Sequence, residues 1–175
     1  MSSVQPLQPG IKIRHARTAE FPTLARLQIQ SWQDAYRGIL ADDYLDHRVE
    51  PDLLARWAEI RPAGDDLILV AEQDRIMGFI TVWCRPAPFI DNLHVVPGQR
   101  SQGIGQRLMQ AAAAQLIERG HVTVHLWVAA GNHRAIAFYR RLGGRFGEPQ
   151  TQHLYGQDVA AMEVTWDDLT GLASA

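Results

Sequence analysis

The sequence predicts a mixed α/β domain in which a single layer of β-sheet is flanked by helices. Segments in which apolar and polar residues alternate, as in strands, are interspersed with segments whose apolar residues recur every three or four positions, as in helices. A strand, a long helix and another strand follow one another in the middle of the chain and indicate a crossover connection. The expected order is β-α-α-β-β-β-α-β-α-β-β, in one domain over residues 11–170 that follows a flexible tail at 1–10.

The N-terminal part is expected to form one strand and two helices. Residues 11–14 alternate between apolar and basic side chains in a short strand. Thr18 is placed to cap a first helix that Gly38 ends, and a second helical region covers residues 42–60 with an interruption near Pro51. The apolar side of this second region is predicted to carry Leu53, Leu54 and Trp57.

The middle of the chain is predicted to form a hairpin and a third strand. Residues 67–72 and 76–84 are strands joined by a turn at 73–75. Both are apolar on both faces, which indicates a sheet that is covered on both sides. A further strand is expected at residues 89–96, where the sequence Pro97-Gly98 then stops it.

The C-terminal part is predicted to contain two more helices and three more strands. A long amphipathic helix at residues 103–119 is closed by Gly120, and an alternating strand follows at 122–128. The second helix covers residues 132–142, and two closing strands flank a turn at Gly156-Gln157.

Composition excludes several classes of protein. Apolar residues make up 46% and charged residues 21% of the 175 positions, as in globular proteins, so a disordered or fibrous chain is not expected. No apolar run reaches the roughly 18 residues of a membrane span, and no signal peptide is recognisable. Cys84 is the only cysteine, which excludes an intrachain disulfide and, with the missing signal, favours the cytoplasm. A net charge of −2 gives no sign of nucleic-acid binding.

Two glycines open the long helix and suggest a phosphate site. The stretch from Arg100 to Gln106 turns from the strand into the helix, and Gly103 and Gly105 leave its first N–H groups open to close approach. These groups and the helix dipole favour a phosphate or pyrophosphate, although an ordinary tight turn before a helix is equally compatible with the glycines alone. The phosphate-binding loop of nucleotide hydrolases needs a Gly-Lys pair, and the dinucleotide fingerprint needs a third glycine where Leu108 stands.

The pattern Arg-x-x-Gly-x-Gly resembles the coenzyme A signature of the GNAT N-acetyltransferase superfamily. A second stretch is similar to ribosomal-protein N-terminal acetyltransferases, and its matching residues are Asn132, Ala135, Phe138, Tyr139, Leu142 and Gly143. The segment from Trp32 to Leu40 resembles the first-helix region of a group of uncharacterised bacterial GNAT proteins. The order of elements also resembles the family, over nearly the whole chain.

The resemblance implies acetyl-CoA as cosubstrate, with no metal. It implies that the backbone of Leu93, His94 and Val95 pairs with the pantetheine amides, and that an N–H there polarises the thioester carbonyl. It implies that Asn132 helps to hold the coenzyme arm. The segment matching the pyrophosphate site consists of Arg100, Ser101, Gln102, Gly103, Ile104, Gly105 and Gln106. A metal between His121 and His125 is not expected, since these positions on a strand would be about 13 Å apart.

The resemblance also points to an acid and a base. Tyr139 matches the family's general acid, although its helical spacing also fits a core residue. Ribosomal-protein acetyltransferases place a base glutamate where this chain has Trp127. Arylalkylamine acetyltransferases place a base histidine where this chain has Asp91, which could instead be a structural carboxylate bound to a backbone N–H or an arginine. His125 and water remain alternatives for the base.

These observations together predict an acetyl-CoA-dependent N-acetyltransferase that moves an acetyl group directly to a primary amine of a small molecule. A protein or peptide N-terminal acetyltransferase and a non-catalytic acyl-CoA-binding regulatory module are the alternatives. The acceptor is expected between the first two helices and the closing strands, where Trp32 and Tyr36 either line the pocket or belong to the core. Neither a nucleic acid nor a membrane is an expected partner, and pairing of exposed strand edges would give a homodimer.

Overall fold

A central sheet organises the protein, whose computed structural model describes residues 10–175. The predicted tail at 1–10 therefore lies outside the described residues, except for Gly10. The strands of the described part are β1 (Lys12–His15), β2 (Leu67–Glu72), β3 (Ile76–Trp83), β4 (Phe89–Val95), β5 (Val124–Ala129), β6 (Arg145–Phe146), β7 (Gln150–Leu154) and β8 (Gln157–Trp166). The helices are α1 (Phe21–Ala35), α2 (Asp42–His47), α3 (Val49–Glu59), α4 (Ile104–Glu118), α5 (His133–Arg141) and α6 (Leu169–Ala173).

The strand order is β1-β2-β3-β4-β5-β8-β6, and β7 pairs with β8. Every pair in this sheet is antiparallel except β4 with β5, the two strands that the α4 crossover connects. The predicted mixed α/β class, with one sheet flanked by helices, is confirmed. No helix within residues 10–175 is long and apolar enough to cross a bilayer.

Helices cover both faces of the sheet. On one face α4, α5 and α6 pack against the apolar side chains of β2, β3, β5 and β8, in a cluster that includes Ile80, Leu108 and Leu126. On the other face α1, α2 and α3 form two clusters, one centred on Trp57 and Phe79 and the other on Trp32. The continuous apolar character of β2 and β3 follows from this double coverage.

The first helices differ in detail from the prediction. A short 3₁₀ turn at Thr18–Glu20 precedes α1, and its N-cap is Arg17 rather than Thr18. The backbone N–H of Arg17 donates a 2.8 Å hydrogen bond to the Glu20 carboxylate. The break in the second helical region falls at Arg48, because Pro51 lies in the first turn of α3, where its missing N–H has no intrahelical role. Leu54, predicted on the buried side of this region, is 38% exposed.

The C-terminal segment contains elements that the periodicity did not reveal. A two-residue strand, β6, precedes the closing hairpin, and α6 follows it. Asp168 caps α6 by accepting a hydrogen bond from the Thr170 N–H, and the helix buries Leu169 and Leu172 against α4. Five residues are too few to show a helical repeat, and α6 extends beyond the predicted limit of the domain at residue 170.

Gly144 is a position at which the packing leaves no room for a side chain. A Cβ atom there would lie 2.5 Å from Val164 Cγ1 and 3.0 Å from the Trp166 ring. We expect Gly144→Ala to lower the free energy of unfolding by about 1–3 kcal/mol, since the extra methyl must displace β8. Urea unfolding measures this. Gly171→Ala is the matched control, because nothing lies within 4 Å of a Cβ there and the helical site favours alanine. Equal effects of the two changes would contradict the packing argument.

Candidate active site

The two parallel strands β4 and β5 meet at one end and separate at the other. Within residues 10–175 their ladder contains one paired position, Phe89 with His125, supported by the 3.2 Å hydrogen bond from His125 N–H to the Pro88 carbonyl. Beyond this position, β4 continues to pair with β3 alone. The separation leaves a gap in the middle of the sheet, between the C-terminal halves of the two strands.

Backbone groups of β4 face this gap. Val96 N–H donates to the Met77 carbonyl at 2.8 Å, and the alternation of an antiparallel ladder then pairs the His94 backbone with Phe79 of β3. By the same alternation, Leu93 and Val95 direct their N–H and C=O groups toward β5 and the gap. These two residues have the geometry expected for pairing with an extended ligand. His94 does not, because its backbone groups are used by β3 and its side chain points toward α1.

A β-bulge places an extra residue in β4 next to the gap. Asn92 pairs with Thr81 and Ile90 with Val82, so Asp91 is left without an opposite residue. Its Oδ2 accepts hydrogen bonds from Arg56 Nη2, from Trp83 Nε1 at 3.0 Å and from Asn92 Nδ2 at 3.2 Å. None of the hydrogen bonds found among residues 10–175 ends on Asp91 Oδ1. The predicted alternative, a carboxylate bound to an arginine, is therefore present, and one oxygen is still available.

A chain of hydrogen bonds runs from the bulge to α1. Asn92 Nδ2 donates to Thr81 Oγ1 at 3.0 Å, so its Oδ1 accepts from His94 Nε2, 3.3 Å away. His94 Nδ1 must then accept from Ser31 Oγ, 3.0 Å away. Desolvation, with the neighbouring Arg100 charge, lowers the pKa of His94 to about 3, so the ring is neutral at physiological pH.

The loop from Gly98 to Gly103, called here the glycine loop, leads into α4 and lets a ligand come close to backbone N–H groups. Gly98, Ser101 and Gly103 all have left-handed φ angles, of 87°, 71° and 76°. The first helical bond is from Arg107 N–H to the Gly103 carbonyl at 3.0 Å, so the N–H groups of the first three helical residues have no intrahelical acceptor. A Cβ on Gly105 would lie 3.3 Å from Phe138 of α5, which shows how closely α5 packs beside this loop.

Two arginines lie at the loop. Arg100, predicted at the pyrophosphate, turns toward α1, where it pairs with Asp34 and donates a 3.2 Å hydrogen bond to Ser31 Oγ. Arg134 of α5 donates a 3.2 Å hydrogen bond to Ser101 Oγ. Arg134 was not singled out from the sequence, although it lies inside the motif that begins at Asn132. The Asn132 side chain caps α5 by accepting a 3.2 Å hydrogen bond from Ala135 N–H.

Tyr139 lies on α5, beside the C-terminal end of β8. Its ring packs edge-on against Trp166, with centroids 5.8 Å apart. Burial, and then the nearby phenol of Tyr36, raise the pKa of Tyr139 above its ordinary value.

The closing hairpin packs onto the α1–α2 segment. Tyr155, in the turn between β7 and β8, lies edge-on to Trp32 with centroids 5.7 Å apart and stacks on Tyr44 at 5.6 Å. Ala41 N–H donates a 2.7 Å hydrogen bond to Gln157 Oε1 across the same boundary. This aromatic contact closes one end of the cleft over the α1 face of the sheet.

Two charged residues on this face were missed by the sequence analysis. Glu163 is opposite Trp127 in the β5–β8 register and therefore shares the face of the sheet on which Trp127 lies. Arg56 holds Asp91, and only the rule that a carboxylate in an apolar strand needs a partner could have indicated a cation there. His125 stacks on Phe89, with ring centroids 5.1 Å apart. Within residues 10–175, no group of three or more metal-ligating side chains is assembled.

The chain matches the model of the acetyltransferase (GNAT) family over residues 26–144. It is 30% identical to an uncharacterised N-acetyltransferase of Archaeoglobus fulgidus over 138 residues, which cover 74% of this chain and 89% of the relative.

Solved structures share the fold. A GCN5-related N-acetyltransferase from Rhodopseudomonas palustris superposes with a TM-score of 0.74 at 18% identity, over 93% of this chain and 98% of the neighbour. The PaiA N-acetyltransferase from Thermoplasma acidophilum, solved in complex with coenzyme A, gives a TM-score of 0.64 at 21% identity, over 90% and 99% of the two chains. At these identities the likeness concerns the fold alone.

The depressed pKa of His94 predicts a loss of stability in acid. The folded-state pKa of about 3 lies below the ordinary value of 6.5, so the unfolded state binds a proton first as the pH falls. The free energy of unfolding should therefore decrease by about 2–3 kcal/mol between pH 6.5 and pH 4.5. His94→Gln keeps hydrogen-bonding groups and removes the titration, so urea unfolding of this variant should change less over that interval. Parallel losses in the two proteins would refute the assignment.

Proposed function

The chain belongs to the GNAT acetyltransferase family, and we propose that it transfers the acetyl group of acetyl-CoA directly to the primary amine of a small molecule. Family membership and the N-acetyltransferase relatives make it an acyltransferase with acetyl-CoA as cosubstrate. The proposal concerns the class of acceptor and the residues that act on it.

The observation that carries the small-molecule acceptor is the contact between the closing hairpin and α1–α2. Tyr155 fills the space above the α1 face of the sheet by packing on Trp32 and Tyr44. A protein acceptor would need an open groove here through which the rest of its chain leaves the site. The aromatic contact favours an acceptor that fits inside the cleft. Trp127 in the place of the glutamate of ribosomal-protein acetyltransferases supports the same conclusion.

The residues at the gap fit the coenzyme. Leu93 and Val95 offer an unpaired N–H and C=O each, which suits the amides of a pantetheine arm lying in the gap as an added strand. The open N–H groups at the start of α4 suit the diphosphate, and Arg134 of α5 adds positive charge beside the loop. Acetyl-CoA supplies the activated acetyl thioester and a thiolate leaving group.

The chemistry assigned to the chain consists of three roles. The Leu93 N–H points into the gap, where it can donate to the carbonyl oxygen of the acetyl group. The neutral amine attacks the carbonyl carbon, so that a carbon–nitrogen bond forms as the carbon–sulfur bond breaks. Tyr139 donates its phenolic proton to the departing sulfur, and the proton that the amine loses passes to Asp91 Oδ1, directly or through water.

Burial suits Tyr139 to the role of acid. Its raised pKa keeps the phenol protonated throughout the neutral range, so the donor is present whenever substrate binds. Asp91 suits the role of acceptor because the bulge turns its half-buried carboxylate to the α1 face while Arg56 and Trp83 hold one of its two oxygens. The two groups belong to opposite faces of the sheet.

Replacement of Tyr139 by phenylalanine tests the acid. The ring keeps its packing on Trp166 while the proton donor is removed, so we expect kcat to fall about 10²–10⁴-fold. The affinity for acetyl-CoA, measured by calorimetry, should be unchanged. Because the pKa of Tyr139 is raised, the wild-type rate should show no loss attributable to this group below pH 10. Full turnover accompanied by a lower Tm would assign Tyr139 to the core instead.

Replacement of Asp91 by asparagine tests the base. A defect in proton acceptance should be largest at neutral pH, where few amine molecules are neutral, and should disappear near the pKa of the amine. The measurement is kcat/KM from pH 6 to 10 for both proteins. A purely structural Asp91 predicts a pH-independent loss that follows reduced stability. Parallel profiles would remove Asp91 from the mechanism and leave His125 or Glu163 as the next residue to change.

The acceptor class is tested by measuring CoA release from acetyl-CoA with a panel of small primary amines and short peptides. Turnover with small amines, at higher kcat/KM than with any peptide, supports the proposal. Turnover confined to peptides would make the chain an N-terminal acetyltransferase. Binding of acetyl-CoA without turnover of any amine would indicate a regulatory acyl-CoA-binding module.

A further inference from the structure

We propose that the acceptor amine carries a carboxylate or a phosphate, and that this anionic group binds in a basic pocket beside Asp91. The pocket, named here the arginine pocket, is lined by Arg56, Ile60, Arg61, Trp83 and Arg85 and has a volume of about 280 Å³. This inference rests on the proposed function, because it specifies the substrate class of the same site.

The arginine pocket has an excess of positive charge. Arg56 is paired with Asp91, and Arg85 with the fully buried carboxylate of Asp66 at 2.6 Å. Arg61 donates only to backbone carbonyl oxygens, those of Ala58 and Ile60 at 2.8 Å each. Among the ion pairs found in residues 10–175, none neutralises Arg61. The pocket therefore contains three guanidinium groups but only two paired carboxylates. A bound anion would neutralise the remaining positive charge.

The pocket and the catalytic bulge share their side chains. Arg56 and Trp83 line the pocket, and both donate to Asp91 Oδ2. A carboxylate with one available oxygen thus stands directly beside guanidinium groups. An acceptor whose amine contacts Asp91 would place a neighbouring group against Arg56, which lines the pocket together with Arg61.

The arrangement favours a small anionic amine over the alternatives. Arg61 is exposed and has no carboxylate partner among residues 10–175, so it is free to turn to a bound anion, and guanidinium groups are well matched to the two oxygens of a carboxylate or a phosphate. The volume is at the lower end for a ligand site, which suits a single charged group flanked by the flat ring of Trp83. Amino acids and phosphorylated amino alcohols share this chemistry.

The test compares amines that differ only in the anionic group. Phenylalanine is paired with its methyl ester, and O-phosphoethanolamine with ethanolamine, each assayed by CoA release with saturating acetyl-CoA. We expect one anionic member to have a kcat/KM at least tenfold above its neutral partner. Arg61→Gln should abolish this preference by raising KM for the anionic amine, with kcat and the neutral amine unaffected. Arg26→Gln, at an exposed position on α1, is the matched control and should retain the preference.

A binding experiment separates this inference from the proposed function. Calorimetric titration with inorganic phosphate and with acetate, in the presence of saturating CoA so that the coenzyme site is filled, should detect one site that Arg61→Gln removes and Arg26→Gln keeps. Equal turnover of charged and neutral amines, or a preference that survives Arg61→Gln, would overturn the inference while leaving the acetyltransferase proposal intact. Absence of turnover with every amine would refute the proposed function, and the titration would still decide whether the anion site exists.

Discussion

Strand β4 pairs with β3 along its length but meets β5 at a single position. Backbone N–H and C=O groups inside a sheet need partners, and within the part of the chain that the structure describes, those of Leu93 and Val95 have none on the β5 side. The gap beside β4 is therefore suited to one extended, amide-bearing molecule. The bulge at Asp91 and the glycine loop lie on either side of Leu93 and Val95 in the chain, so the candidate site exists because the two strands separate.

The α1 face of the sheet is held in place by buried polar contacts in addition to its apolar clusters. Asn92, His94 and Ser31 form a continuous chain in which each hydrogen bond fixes the orientation of the next. A neutral His94 allows this chain to be fully satisfied without a buried charge. Arg100 extends it to Asp34, and α1 is thereby attached to the coenzyme side of the sheet.

The apolar pattern, alternating or continuous in strands and recurring every three or four residues in helices, predicted most strands and the four longest helices within two or three residues. The shortest elements were not predicted, because the two residues of β6 and the five residues of α6 are too few to show a repeating apolar pattern. At the site, Tyr139 and the loop from Arg100 to Gln106 were found from local motifs. Arg56 and Glu163 were not, because their relation to Asp91 and Trp127 depends on strand register and helix docking between distant segments.

Some residues of β4 make their polar contacts through the main chain and others through the side chain, and this difference affects how the sequence of the strand can vary. At Leu93 and Val95 the main chain faces the gap while the side chains pack toward the α4 side of the sheet. Contacts made by the main chain do not depend on the identity of the side chain. One apolar residue can therefore replace another at these two positions without changing the N–H and C=O groups that face the gap. At Asn92 and His94 the reverse holds, because their side chains carry the polar contacts. A substitution scan of side chains would therefore detect Asn92 and His94 and overlook the main-chain positions that we propose bind the coenzyme.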